Sequence, residues 1–240
     1  MKILAMDTSN ATLAVAVHED HQLLGQIQTT VNKNHSISLM PAIDQLMQMV
    51  NVKPTDLDRI VVAQGPGSYT GLRIGVTTAK TLADTLNIDL VGVSSLQVLA
   101  ANCVNVSEII VPIFDARRKN VYAQAFIWQD DQLVEVMPAG HYPIVEVLAH
   151  FKDQAIYLVG KDVAKFTDEI AQYAPQAKVN TIENWQYPSA SKLAQLGLAA
   201  TPEKDIANFL PTYLKLVEAE EKWLQTHAQE KGDNQYVEKI

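Results

Sequence analysis

The sequence predicts an α/β protein made of two similar lobes, and three observations support that fold class. Strand-like apolar runs alternate with helix-like segments whose apolar residues recur every three or four positions. The first strand-like run ends at Asp7, and a similar run ends at Asp115. The 240 residues are 48% hydrophobic and 19% charged, which supplies a core and excludes a disordered or low-complexity chain.

In the first lobe, strands and helices follow one another closely. Two strands are predicted around a turn at 7–11, the first at 2–6 and the second containing Leu13, Val15 and Val17. The remaining predicted elements are a strand at 22–30, a helix at 37–50, a strand at 59–63, a helix at 71–86, a strand at 89–93 and a helix that starts after Ser94 or Ser95 and ends at Cys103.

The second lobe repeats the opening of the first, with a strand at 109–115, a polar turn, and strands at 121–128 and 132–136. Helix-like and strand-like segments then alternate at 144–151, 156–160, 163–173 and 190–200. We place the lobes at 1–103 and 104–204, although any α/β chain offers pairs of strands with an Asp between them. A helix at about 205–228 is expected to pack back on the first lobe, followed by a tail at 229–240.

Charge and cysteine content exclude several functional classes. With 19 Lys and Arg against 27 Asp and Glu, the net charge is −8, so the overall field is not expected to hold nucleic acid. The single Cys103 allows neither an intrachain disulfide nor a cysteine zinc site and favours a reducing compartment. Asp7 interrupts the N-terminal apolar run too early for a signal peptide, and no stretch is long enough for a membrane helix. We expect a cytoplasmic protein.

A glycine-rich turn between a strand and a helix is the most informative segment, because its N–H groups could hold an anion. Thr70 stands where a dinucleotide-binding fingerprint needs glycine, and no lysine follows Gly71 or Gly75 as a P-loop requires. Pro66 and Thr70 replace both glycines of a nucleophile elbow around Ser68. We therefore predict a structural turn formed by Gly65, Pro66, Gly67, Ser68, Tyr69 and Thr70.

The helix at 71–86 carries a stripe of small residues at every fourth position: Gly71, Gly75, Ala79 and Ala83. Glycine inside a helix costs about 1 kcal/mol relative to alanine, so something must approach this face closely. The stripe either packs on the protein's own sheet or contacts a partner helix, and the sequence leaves the two interpretations level.

The helix at 37–50 favours a partner, because Ile37, Met40 and Met47 lie outside its main apolar stripe. These three residues and the four small ones are therefore the candidate partner-binding residues. A bulky residue at Gly75 is expected to abolish association with the partner while leaving the monomer folded.

Several motifs together resemble the bacterial TsaB (YeaZ) family. They are Met6-Asp7-Thr8-Ser9, Asn34-His35-Ser36, Gly65-Pro66-Gly67-Ser68-Tyr69-Thr70-Gly71-Leu72-Arg73-Ile74-Gly75, Val93-Ser94-Ser95-Leu96, Phe114-Asp115-Ala116-Arg117-Arg118 and Pro211-Thr212-Tyr213-Leu214. The resemblance covers about residues 1–215, and Lys215 departs from the arginine that is usual in the family. It implies a duplicated actin-like (ASKHA, ribonuclease H-like) fold with two lobes, in agreement with the repeat.

The resemblance also implies a function in tRNA modification. Members of the family help to form N6-threonylcarbamoyladenosine at position 37 of tRNAs that read ANN codons. They are the non-catalytic partner of the paralogous transferase TsaD, work with the ATPase TsaE, and have also been labelled glycoprotease-like. The chain is accordingly expected to bind TsaD, to form a homodimer when alone, and to reach tRNA mainly through the complex.

The resemblance further implies that the metal site of TsaD is missing here. Two histidines of TsaD bind a metal, and the matching positions are Ser95 and Leu99. A hydroxyl and an isobutyl group cannot replace two imidazoles. A lone histidine at a helix start, such as His35, is more often a capping or packing residue than a ligand. We expect no metal and no catalytic residue.

Two acidic residues, Asp7 and Asp115, keep a nucleotide site open as an alternative, because actin-like ATPases hold phosphates with two turns that each carry an Asp. Neither turn contains glycine, so turn or capping carboxylates are favoured. The remaining cofactor hypothesis is ATP or ADP at the interface with TsaD. Arg117, Arg118 and Lys119 form either a solvated loop or a contact to a tRNA phosphate or a partner's carboxylate.

Two other functions remain as alternatives to a partner subunit. An independent actin-like ATPase or small-molecule kinase would use Asp7 and Asp115. A glycoprotease-like peptidase is the least supported, because Ser68 has no recognisable base beside it in the sequence.

Overall fold

Two five-stranded sheets organise the chain in a computed structural model that describes residues 1–30 and 34–215. The first half contains β1 (Lys2–Asp7), β2 (Leu13–Glu19), β3 (Gln22–Thr29), α1 (His35–Met49), β4 (Arg59–Gly65), α2 (Tyr69–Leu86), β5 (Asp89–Ser94) and α3 (Ser95–Ala100). The second half contains β6 (Ile109–Asp115), β7 (Asn120–Gln129), β8 (Gln132–Pro143), α4 (Ile144–His150), β9 (Ile156–Val159), α5 (Thr167–Tyr173), β10 (Lys178–Val179) and α6 (Ala190–Ala199).

The two sheets have the same topology, which confirms the duplicated two-lobe fold. The first sheet has the order β3-β2-β1-β4-β5, with β1 antiparallel to β2 and parallel to β4. The second has the order β8-β7-β6-β9-β10, with β6 antiparallel to β7 and parallel to β9. Asp7 and Asp115 are therefore the last residues of the two central strands.

Some predicted elements differ in their ends from the observed ones. The strand predicted at 132–136 continues to Pro143, because β8 pairs with β7 as far as Asn120 through two irregularities in register. The helix predicted at 163–173 begins as a 3-10 turn at Lys161–Phe166 and becomes α-helical only in α5. The helix predicted to end at Cys103 ends at Ala100.

Helix α6 lies in the range 104–204 that we assigned to the second lobe, but it packs on the first sheet. Its Leu193 and Ala194 share a buried cluster with Ile3 and Val61. Helices α1 and α2 cover the opposite face of that sheet. A sheet with apolar side chains on both faces needs cover on both, so the chain returns to the first lobe after completing the second. The assignment of 190–200 is corrected accordingly.

The segment 201–215 also packs on the first lobe, but as an irregular strap rather than as the start of the helix predicted at about 205–228. Thr212 N donates to Gln64 O at 2.7 Å, and Glu203 N donates to Leu90 O at 2.8 Å. Phe209 is buried in the first lobe's core. Backbone groups that bond to strands cannot form a helix, and Pro211 has no N–H to donate. The rest of that predicted helix and the tail at 229–240 lie outside the described residues.

Arg59 ties the end of α6 to the first sheet. One guanidinium nitrogen, Nη1, donates to Gly197 O at 2.8 Å and to Leu198 O at 3.2 Å, and Nη2 pairs with the Asp89 carboxylate at 2.8 Å. The Arg59 side chain is only 8% exposed. Because the last carbonyls of a helix have no partner within it, this buried guanidinium acts as their cap.

We expect Arg59→Met to lower the free energy of unfolding by about 2–4 kcal/mol, because it leaves buried carbonyls without donors. Urea denaturation followed by circular dichroism measures the change. Lys152→Met is the matched control, since that lysine is 71% exposed, and its effect should stay within about 0.5 kcal/mol. Equal stability of the two variants would contradict the capping role.

Cys103 lies in the core, where burial raises the pKa of its thiol to about 12. The thiol therefore stays protonated and unreactive at neutral pH. Within residues 1–30 and 34–215, no helix combines the length and the apolar content needed to cross a bilayer.

Candidate functional site: the cleft between the lobes

The glycine-rich turn sits directly against the turn that follows β1. Ser68 N donates to Ser9 O at 2.6 Å, and the Ser68 side chain accepts a hydrogen bond from Gly71 N at 3.4 Å as the N-cap of α2. Gly65 has a φ of 123°, which suits glycine, and the bond between Gly65 and Pro66 is cis. Tyr69, which we predicted in the turn together with Thr70, is already the first residue of α2.

The small-residue stripe of α2 packs inside the chain, which corrects its assignment to a partner. Ala79 and Ala83 are fully buried in the core of the first lobe. A Cβ on Gly71 would collide with Thr8 O, and a Cβ on Gly75 would lie 2.5 Å from Thr8 Oγ1. The segment that approaches the stripe closely is therefore the chain's own first turn, the turn after β1 that contains Thr8.

Asp7 is completely buried at the end of β1. Its Oδ1 accepts a hydrogen bond from Ser9 N at 2.8 Å, and its Oδ2 has no hydrogen-bond partner among the described residues. Burial raises the pKa of Asp7, and the hydrogen bonds from Ser9 oppose this shift. These are the contacts of a buried turn carboxylate.

Asp115 occupies the equivalent position in the second lobe, but its carboxylate is partly exposed and paired. Lys165 Nζ lies 2.7 Å from the Asp115 carboxylate and 2.8 Å from that of Asp162. Partial burial works to raise the pKa of Asp115, but the hydrogen bonds from Lys165 and from Arg117 N outweigh it and lower the pKa below its usual value. Asp115 is therefore ionised at neutral pH.

The basic turn, residues 117–119, joins β6 to β7 in an unusual backbone conformation. Arg117, Arg118 and Lys119 have φ values of 67°, 51° and 60°, so three successive residues with side chains are left-handed. Each such residue costs roughly 1 kcal/mol or more. Lys119 forms an ion pair with Glu169 at 2.8 Å, and all three basic residues are exposed.

These turns enclose a cleft of about 650 Å³ between the lobes. The residues that line it are Ser9, Asn10, Gly67, Ser68, Tyr69, Thr70, Phe114, Asp115, Ala116, Arg117, Arg118, Tyr122, Asp162 and Lys215. The cleft therefore brings together the first turn, the glycine-rich turn, the basic turn and the end of the strap. Asp7 does not line it.

A ring of contacts at the start of α2 joins the cleft to the strap. The rings of Tyr69 and Tyr213 are 4.9 Å apart, and the Arg73 guanidinium lies 4.3 Å from the Tyr69 ring centre. Arg73 Nε also donates to the Tyr213 hydroxyl at 3.3 Å. Both tyrosines remain about two-fifths exposed, at 42% and 40%.

Comparisons with known proteins identify the family. The family described as "TsaD: tRNA N6-adenosine threonylcarbamoyltransferase" matches residues 12–223 of the chain. The "tRNA threonylcarbamoyladenosine biosynthesis protein TsaB" of Bacillus subtilis (strain 168) is 39% identical over 228 residues, which are 94% of this chain and 99% of the relative. This chain belongs to the TsaB family.

Other TsaB proteins and a transferase are also similar. The TsaB protein of Escherichia coli (strain K12) is 27% identical over 57% of this chain and 62% of its own length. A tRNA N6-adenosine threonylcarbamoyltransferase of Anaeromyxobacter sp. (strain Fw109-5) is 32% identical over 40% of this chain and 34% of its own. The structure described as "YeaZ from Pseudomonas aeruginosa" has the same fold, with a TM-score of 0.76 and 23% identity over 89% of this chain and 99% of that one.

In this TsaB protein, Ser95 and Leu99, which the resemblance matches to the TsaD histidines, are part of the core. Ser95 is fully buried, and its Oγ accepts a hydrogen bond from Gly65 N at 3.1 Å. Leu99 is fully buried as well. His35 Nε2 donates a hydrogen bond to Asn10 O at 2.8 Å, which ties the start of α1 to the turn after β1. Among the described residues of this TsaB chain, no group of three or more His, Cys, Asp or Glu could hold a metal ion.

The three candidate partner-binding residues of α1 have different exposures in this TsaB protein. Ile37 is 71% exposed and Met40 is 49% exposed, so both are available to a partner. Met47 is only 6% exposed and belongs to the core. Met40 and Met47 both line a groove of about 420 Å³ between α1, the end of α2 and the segment before β4.

Sequence reasoning missed Lys165 and the Tyr69–Tyr213 contact. Lys165 lies 50 residues from Asp115, and no local motif marks the pair. Tyr213 lies in one of the motifs shared with the TsaB family, which was the available signal, but its contact with Tyr69 depends on the path of the strap.

Proposed function

We propose that this chain is the non-catalytic partner subunit of a TsaD-type transferase that forms N6-threonylcarbamoyladenosine at position 37 of ANN-decoding tRNAs. Its binding aligns the lobes of the transferase and thereby activates it. The observation that carries the proposal is the exposed apolar face that Ile37 and Met40 form on α1, beside an apolar groove that Met40 lines. The names of the similar TsaB proteins support the pathway.

The interior of the chain supports a non-catalytic role. Ser95 and Leu99, at the positions of the two TsaD histidines, are buried and used for packing and for a backbone hydrogen bond. The buried side chains offer no imidazole to a metal at those two positions. The transferase chemistry therefore belongs to the paralogous partner.

The surface of α1 supports a protein partner. Large apolar side chains that are exposed next to a groove are typical of docking sites, because their contact with a partner removes apolar area from water. Ile37 and Met40 present such area at one end of α1, and the groove beside Met40 continues it towards Leu82 and Leu86 of α2. The same face can bind a second copy of this chain, which gives a homodimer when the transferase is missing.

The remaining parts of the proposal follow from the family resemblance. The ATPase TsaE works with the two subunits, and tRNA is bound mainly through the complex. We place the binding site for ATP or ADP at the interface between this chain and TsaD. The assembly acts in the cytoplasm.

Reconstitution tests the proposed function. Unmodified ANN-decoding tRNA is incubated with TsaD, TsaE and the substrates of the reaction, with and without this chain, and the modified nucleoside is quantified by mass spectrometry. We expect modification only when the chain is present. Equal yield in its absence would contradict the proposal.

The retained acidic residues favour one alternative, an independent actin-like ATPase. Asp115 is ionised at the cleft, as a nucleotide-binding enzyme of this fold requires, whereas Asp7 is buried away from it. Calorimetry of the isolated chain with ATP and Mg²⁺ distinguishes the two functions. Tight, metal-dependent binding would support the ATPase, and binding only in the presence of TsaD would support the partner subunit.

A further inference from the structure

The cleft between the lobes combines exposed cations with exposed aromatic rings. We propose that it binds a single-stranded segment of the tRNA, with a phosphate on Arg117 and an unpaired base on the Tyr69–Tyr213 pair. The inference rests on the proposed function, which brings tRNA to the complex, and it adds an RNA-binding surface on this chain.

The charge of the cleft favours an anion although the chain as a whole is acidic. Arg117 and Lys215 both line the cleft. Lys165 pairs with both carboxylates in the same lining, Asp115 and Asp162, and so compensates one of their two negative charges. With Arg117 and Lys215, these five groups carry a net charge of +1. An exposed guanidinium is well suited to a phosphate, because its N–H groups match two phosphate oxygens.

The rings at the cleft favour RNA over an acidic protein segment. A carboxylate needs only the cations, whereas exposed tyrosines beside an arginine are the usual platform for unpaired bases. Tyr69 lines the cleft, and the centre of its ring is 4.9 Å from the centre of the Tyr213 ring. The Arg73 guanidinium lies 4.3 Å from the centre of the Tyr69 ring. The lining of the cleft therefore combines cations with aromatic surface.

The size of the cleft favours an unpaired segment. A volume of about 650 Å³ has room for a short stretch of single strand. The bases of a duplex are stacked on one another and offer no free face to a tyrosine. Position 37 of a tRNA lies in an unpaired loop, so the proposed substrate supplies such a segment.

The backbone of the basic turn fits a binding role. Three successive left-handed residues with side chains persist only where the surroundings hold them, and such segments cluster at functional sites. The turn is anchored at both sides, because Arg117 N donates to Asp115 Oδ1 at 2.8 Å and Lys119 pairs with Glu169. The backbone of Arg117 is therefore held at the cleft before any ligand arrives.

The net charge of −8 predicts under which conditions the cleft contributes to tRNA binding. Repulsion acts on an approaching tRNA, but salt screens it beyond about 8 Å, so the local cations dominate only at contact distance. The cleft should therefore contribute mainly in the complex, after another subunit has bound the tRNA.

The first test is the affinity of the complex of this chain with TsaD for an unmodified ANN-decoding tRNA, measured by fluorescence anisotropy between about 50 and about 200 mM KCl. We expect Arg117→Glu to weaken binding about tenfold and to reduce the salt slope by about 0.7 for each phosphate that the variant no longer binds. Lys152→Glu makes the same change of charge on an exposed lysine outside the cleft and should change the affinity less than about twofold.

The second test separates stacking from charge. Tyr69→Ala should weaken binding of the same tRNA about fivefold without changing the salt slope, because a stacked base carries no counterion. Tyr69→Phe keeps the ring and should restore the affinity. A hydroxyl-dependent role would instead leave Tyr69→Phe as weak as Tyr69→Ala, and this would overturn the stacking geometry.

Co-elution of each variant with TsaD is measured in parallel. The proposal is overturned if Arg117→Glu leaves the affinity and the salt slope unchanged, or if it weakens association with TsaD as strongly as it weakens binding of tRNA. The latter result would assign the basic turn to a protein interface. In either case the reconstitution assay with the wild-type chain reports separately whether the proposed function stands.

Discussion

Replacing Gly71 by alanine is expected to destabilise the protein by about 2–3 kcal/mol. Helix propensity alone predicts the opposite, since alanine is favoured over glycine by about 1 kcal/mol within a helix. The collision between the new Cβ and the backbone oxygen of Thr8 outweighs that gain, because the oxygen belongs to the first turn and cannot rotate away. Urea denaturation followed by circular dichroism measures the change.

Thr77→Ala is the matched control for Gly71→Ala. Thr77 is exposed on the same helix, so its substitution should change the free energy of unfolding by no more than about 0.5 kcal/mol. Unchanged or increased stability of Gly71→Ala would show that the stripe does not pack against the first turn. The same packing predicts that a bulky residue at Gly75 lowers stability, instead of acting only on association as the sequence suggested.

Met40→Glu is expected to weaken association with TsaD by about 100-fold or more while leaving the monomer's stability unchanged. Met40 is half exposed beside the groove, so a charge there can stay in water in the free monomer but is desolvated when a partner covers it. Isothermal titration calorimetry with TsaD measures the affinity, and reconstituted tRNA modification should fall in parallel.

Gln45→Glu adds the same charge on an exposed residue of α1 outside the groove, and it should change the affinity less than about threefold. If the two variants bind TsaD equally well, the partner surface lies elsewhere. If Met40→Glu unfolds more easily than the wild type, its weaker binding is a stability effect and the interface remains unsupported.

The repeat of the two lobes could be predicted because strand periodicity and the acidic strand ends are local features. Asp7 and Asp115 do end the two central strands, and both sheets have the predicted strand–turn–strand opening. The assignment of α6 to the second lobe was wrong because a helix's local pattern says only that one face is apolar. Which sheet it covers depends on where the chain travels afterwards.

The site shows the same division. The sequence predicts a structural role for the glycine-rich turn, because each known phosphate-binding or catalytic motif fails there at a particular residue. Lys165 was not found, because its pairing with Asp115 and Asp162 joins segments that only the folded second lobe brings together. The sequence predicts that Met47 contacts a partner, but Met47 is buried in the core. The apolar pattern of a single helix cannot distinguish a second core-facing side from an exposed one.

Residue types and the periodicity of apolar residues predict the order of strands and helices and the repeat of the two lobes. They also predict that another segment must approach α2 closely. Which surface makes that approach is not readable, because Thr8 and Gly71 meet only across 63 residues of chain. The folded chain directs the small residues inward and leaves Ile37 and Met40 outside. It also brings Tyr213 to Tyr69. Sequence periodicity shows that one face of a helix is apolar or carries small residues. Packing between segments that are distant in the sequence determines what contacts that face.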